Sequence, residues 1–65
     1  MVDMTTNKNI LNRLVVGLVG GAHAEAWWNS PNRAFDMKTP NELMTEETWT
    51  EVRDYLMHHA YGGGS

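Results

Sequence analysis

The sequence predicts an all-α domain, a small bundle of about four helices of which two are short. Three observations carry that expectation. Ile10, Leu11, Leu14, Val15, Leu18 and Val19 recur at i, i+1, i+4, i+5, i+8 and i+9, which lays one broad apolar stripe along a helix. Trp49, Val52, Leu56 and His59 repeat the helical spacing near the end of the chain. No stretch sustains the period-two alternation of a half-buried strand.

Residues 1–6, "MVDMTT", lack periodicity and are expected to fray. The first helix is expected from Asn7, although Val15, Val16 and Val19 lose χ1 freedom in a helix and weaken it. Gly20 and Gly21 end it. Gly17 and Gly21 have GxxxG spacing, but the apolar run from Leu14 to Ala22 is far shorter than the ~20 residues of a membrane span. The pair therefore reads as a bendable helix end. A short second helix follows from Ala22 to Trp28, in good helix formers. Ala24 and Trp28 are four apart, as are His23 and Trp27, so the two indoles point about 100° away from each other. One is expected in the core, the other against a neighbouring element or a second subunit. The core position is assigned to Trp27.

Pro31 stops this helix, because the residue before a proline is pushed out of the α region. Pro31 and Asn32 then open a turn in which the Asn32 side chain bonds the backbone two residues on. Phe35 is expected to plug that loop into the core. Thr39, Pro40 and Glu42 make a helix start: an N-cap, a proline at the first helical position and a capping-box acid. The helix they open, "PNELM", is brief. Thr45 restarts the pattern, and Glu46 and Glu47 suit the positive end of a last helix. Gly62 stops that helix, and the remaining Gly-Gly-Ser reads as a flexible tail or a linker remnant. The expected organisation is a tail and helix over 1–20, a helical binding domain over 21–62 and the tail over 63–65.

A chain of 65 residues buries only ~60% of the surface it exposes when unfolded, so a lone monomer is marginal. The absence of cysteine excludes disulfides and thiolate zinc sites. Three Trp and five Met point instead to apolar packing, completed by a second copy in a homodimer. The net charge is −3 and the five Lys and Arg never cluster, so no basic stripe for nucleic acid exists. No segment reads as an export signal or a membrane span, and a cytoplasmic protein is expected.

Catalytic chemistry has little to build on. His58 and His59 are adjacent, so on a helix they cannot share a metal as an i, i+4 pair would, and His23 is remote. Ser30 is fixed ahead of a proline, with no oriented base in sight. Glu42, Glu46, Glu47 and Glu51 read as caps and a solvated face, and the glycines lack the lysine of a phosphate loop. Neither a metal nor another cofactor is expected. Trp27, Trp28, Trp49, Tyr55 and Tyr61 are the residue types that dominate interaction hot spots, more indole than so small a domain easily buries. The chain reads as a non-enzymatic binding module.

One ordered set of residues goes further. Ala24, the pair Trp27-Trp28, Pro31-Asn32, Ala34-Phe35, Lys38-Thr39-Pro40 and Glu42-Leu43 follow one another without a gap. Together they resemble the toxin-binding domain of the Xre/MbcA/ParS antitoxin family, and Thr45, Val52, Leu56 and Tyr61-Gly62 fit its last helix and closing glycine. The resemblance runs from about Gly21 to Gly62. It implies a small helical domain that homodimerises and binds a toxin of the RES class, which consumes NAD or transfers ADP-ribose. It implies further that the C-terminal end of the antitoxin occludes the toxin's active site. Partner contacts are expected at Trp28, Arg33, His58, His59 and Tyr61, with the family motif setting the fold.

This sequence departs from the family pattern in three places. The roughly 20 residues before Ala22 are too few for the helix-turn-helix that usually precedes this domain, so autorepression of the usual kind is not expected. Asp36 and Met37 replace a pair of glycines, which matters if those positions need φ > 0. Trp28 replaces a leucine. Those departures leave a second reading open, a phage-encoded inhibitor of another host enzyme on the same scaffold, and a third, a small structural or assembly protein.

Overall fold

In the computed structural model, which describes residues 4–62, the first apolar stripe forms α1, Met4–Val19. It starts one turn earlier than the expected Asn7, because extending a helix nucleated elsewhere fixes few further dihedrals. Burial of Leu11 and Val15 anchors it, and Asn7 Nδ2 points at Met4 Sδ, 3.6 Å away. The fraying expected over 1–6 is thereby corrected for residues 4–6. Residues 1–3 and the expected tail at 63–65 lie outside the described residues.

One residue breaks α1 from α2, which spans Gly21–Asn29. Gly20 sits at φ 90°, donates to Val16 O at 2.9 Å and accepts from His23 N at 3.2 Å. Gly17, by contrast, lies within α1, and a Cβ added there meets nothing within 4 Å. The same substitution should therefore act with opposite signs at the two sites. Gly17→Ala should stabilise the domain by about 0.8–1 kcal/mol through helix propensity. Gly20→Ala should destabilise it by about 1–2 kcal/mol, the cost of forcing a Cβ into a positive-φ conformation. In a domain of this size each amounts to a Tm shift of about 4 °C or more, readable by circular dichroism. Shifts in the same direction would mean that the helix does not break at Gly20.

After α2, Ser30 is extended at φ −105° and ψ 143°, as a residue before proline must be. The loop 32–38 closes on itself through an isolated bridge between Asn32 and Lys38. Inside it, Asn32 Oδ1 accepts from Ala34 N at 2.9 Å, the bond expected two residues on, and a 3-10 turn runs Arg33–Phe35. Phe35 is buried, as a plug should be. A second 3-10 turn, Pro40–Leu43, carries the whole capping box: Glu42 N donates to Thr39 Oγ1 at 3.2 Å, and Thr39 N donates to Glu42 Oε2 at 2.7 Å.

The last regular helix, α3, spans Trp49–Met57 rather than beginning at Thr45. Threonine hydroxyls explain the delay, because they offer the backbone bonds that compete with a helix. Thr48 Oγ1 donates to Leu43 O at 2.7 Å, and Thr48 N donates to Thr45 Oγ1 at 3.2 Å. Thr45 still anchors the entry, since its carbonyl accepts from Trp49 N at 3.0 Å. Beyond Met57 the chain widens into a π-helical turn, His58–Gly62.

The domain is all-helical, with no strand among the described residues. α1 packs against both α2 and α3. The core unites Leu11 and Val15 of α1, Ala24 and Trp28 of α2, Phe35, Pro40 and Leu43 of the connecting turns, and Val52 and Leu56 of α3. The expected division of the two indoles is reversed. Trp28 is 2% exposed and Trp27 is half-buried. The reason is the helical row each belongs to: Trp28 shares a face with buried Ala24, whereas Trp27 shares one with exposed His23. The Trp28 ring also finds a partner for its only polar atom, with Nε1 donating to Asn12 Oδ1 at 2.8 Å.

Candidate functional site

Half-buried and exposed rings gather around the end of α3. Val52 and Leu56 fix the inward face of this helix, which turns Tyr55 toward the α2 side. There Tyr55 stacks on Trp27, with centroids 6.2 Å apart and planes 28° from parallel, and meets Phe35 at 5.1 Å. Trp27 in turn lies edge-on to both Trp28 and Phe35. The π-helical turn then sets the His59 ring over Tyr55 at 4.3 Å, with His58 edge-on to His59 at 5.6 Å. The result is a continuous aromatic seam from buried Phe35 through Trp27 and Tyr55 to exposed His59.

Beside that seam a cavity of about 250 Å³ opens between the helices, lined by Val15, Leu18, Val19, Trp27, Tyr55, Leu56 and His59. Val15, Leu18, Val19 and Leu56 give it apolar walls, and the Trp27, Tyr55 and His59 rings bring polar atoms to it. The space suits an apolar or aromatic side chain of a partner, the kind of pocket in which interface anchors sit. Tyr61, in the same turn as His59, is 75% exposed. Single π-helical turns are rare and occur frequently at functional sites. Among the described residues, no three His, Cys, Asp or Glu side chains come together as a metal site.

The expected partner-binding residues are distributed as follows. His58, His59 and Tyr61 share the exposed C-terminal turn. Arg33 is exposed on the loop 32–38, connected to this end through Phe35 and Tyr55. Trp28 is corrected: its ring belongs to the core, where a leucine would also belong, and is not a surface anchor. Sequence reasoning counted Tyr55 among the hot-spot residue types and Leu18 in the apolar stripe of α1, but placed neither among the partner contacts. The i, i+4 spacing of Tyr55 and His59 was the available signal for the first.

The turn at Thr39 holds a perturbed carboxyl. The Thr39 backbone N–H, then its hydroxyl, and then the charge of Lys38 hold the Glu42 carboxyl below its ordinary value. A depressed carboxyl contributes stability that is fully present above the unfolded pKa of about 4.3 and is lost as the pH falls through the folded value. Wild type should therefore lose Tm on acidification through this range faster than Glu42→Gln, which keeps an acceptor but cannot titrate. Parallel acid curves for the two proteins would mean that the capping box does not form.

No helix among the described residues is long and apolar enough to cross a membrane. Comparison with curated proteins and with solved structures finds no match. The model of one protein family, the antitoxin Xre/MbcA/ParS C-terminal toxin-binding domain, matches residues 14–62. That span takes in the second part of α1, all of α2, the loop 32–38, the capping box, α3 and the π-helical turn. The chain belongs to the Xre/MbcA/ParS family of antitoxin C-terminal toxin-binding domains.

Proposed function

We propose that this domain neutralises a toxin of the RES class by binding it directly, with the C-terminal turn entering the toxin's active-site cleft. The observation that supports it is the cavity lined by His59 at the end of an aromatic seam, with exposed His58 and Tyr61 in the same turn. A partner's apolar side chain fills the cavity while Tyr61 and the histidines reach outward. Arg33 supplies a polar contact at the other end of the seam. The toxin-binding unit is residues 21–62, with α1 as its buttress through Leu11 and Val15.

The domain acts as a homodimer in this reading. The exposed side chains of Ile10 and Met57 flank an apolar groove with Leu14 and Trp49, which a second copy would cover. Its role is binding without catalysis, without nucleic acid and without a membrane. It works in the cytoplasm, where an NAD-consuming toxin meets its substrate. Co-expression with a RES-domain toxin tests this: growth and cellular NAD should be preserved, and the two proteins should purify together. NAD depletion despite abundant domain would overturn the assignment and turn attention to another host enzyme as the target.

A further inference from the structure

The loop 32–38 holds two residues other than glycine in a backbone region that favours glycine. Asp36 lies at φ 55° and ψ 40°, and Met37 at φ 65°. The loop's own bonds impose this shape. Met37 N and Phe35 N both donate to Asn32 O, Lys38 N donates to Phe35 O, and Asn32 N donates to Lys38 O, at 2.9–3.0 Å. Phe35 then locks the loop into the core. Aspartate tolerates left-handed geometry because its short side chain can bond locally, but methionine has no such compensation. Nor does packing offset the strain, since Met37 is 61% exposed.

We infer that Met37 is an anchor residue for the protein partner, an apolar side chain on a fixed backbone that enters an apolar socket on the toxin. The inference rests on the toxin-binding reading above. Methionine is enriched at interfaces for its adaptable, polarisable side chain. The fixed αL backbone removes the backbone share of the ordering cost on binding and leaves only the side chain's own rotamers to be fixed. Arg33 and Lys38 outnumber Asp36 in this loop, although the chain as a whole is acidic. The socket is accordingly expected to carry a carboxylate rim, complementary to those cations.

Two variants separate the side chain from the backbone. Each is compared with wild type for Tm and for affinity, by calorimetry, toward a purified, catalytically inactive RES-domain toxin that wild type neutralises on co-expression. Met37→Gly should raise Tm by about 4 °C or more as the strain is released, and weaken binding about tenfold or more. Met37→Ala keeps the strained backbone, so its Tm should stay near wild type while affinity falls comparably. Wild-type affinity in both variants would overturn the anchor role and leave the toxin-binding reading intact. Weakened binding by Met37→Gly alone would also overturn it, because loop rigidity and not the side chain would then matter. If wild type binds no RES-domain toxin, both readings fall together.

Discussion

Trp28→Ala should unfold most of the domain at room temperature. Truncating a buried tryptophan costs about 3–5 kcal/mol through lost transfer energy and the cavity left behind. In a chain of this length a single core rarely supplies more than about 3–5 kcal/mol of net stability. The Trp28 ring lies between α1 and α2, with Lys8 Nζ 5.1 Å above its centroid and Trp27 edge-on at 5.1 Å. Its loss also strips the Asn12 amide oxygen of its indole donor. Trp27→Ala is the control: a half-buried ring at the rim of the aromatic seam should cost clearly less. Urea unfolding followed by circular dichroism measures both. A Trp28→Ala variant as stable as wild type, or less affected than Trp27→Ala, would show that the wrong indole has been placed in the core.

The contrast between these two tryptophans marks how far the sequence could be read. Local chemistry was legible where neighbouring residues alone decide the outcome. The Thr39–Glu42 capping box, the Asn32 turn and the stop before Pro31 involve partners within three residues, and each formed as the sequence implied. The choice between Trp27 and Trp28 depended on which face of α2 meets α1, a tertiary matter. Even so, Ala24 on one row and His23 on the other carried the answer. The delayed start of α3 was harder to read, because the Thr48 hydroxyl bonds a carbonyl five residues back. The π-helical widening after Met57 left no pattern in the sequence at all. Yet it is this turn that lays His59 on Tyr55 and shapes the candidate site. At Asp36 and Met37, the departure from paired glycines posed the right question, and the backbone answers it with positive φ at both.

Removal of residues 59–65 should abolish toxin binding while leaving most of the fold. The truncation takes the His59 ring off Tyr55 and off His58, contacts of a kind worth about 0.5–1.5 kcal/mol each, and removes the turn's packing on α1. Val52 and Leu56, which hold α3 to the core, lie before the cut. Binding should suffer more, because the truncation takes away His59, which lines the cavity, together with exposed Tyr61. Central aromatic anchors typically cost 2 kcal/mol or more each, so a loss of about 30-fold or greater in Kd is expected. Tm and affinity toward a RES-domain toxin, measured on the same truncated protein, separate the two effects. A collapse of Tm would mean that the π-helical turn is part of the fold's foundation. Unchanged affinity would move the interface to the Arg33 and Met37 end of the seam, leaving the cavity beside Tyr55 as a packing feature with no role in recognition.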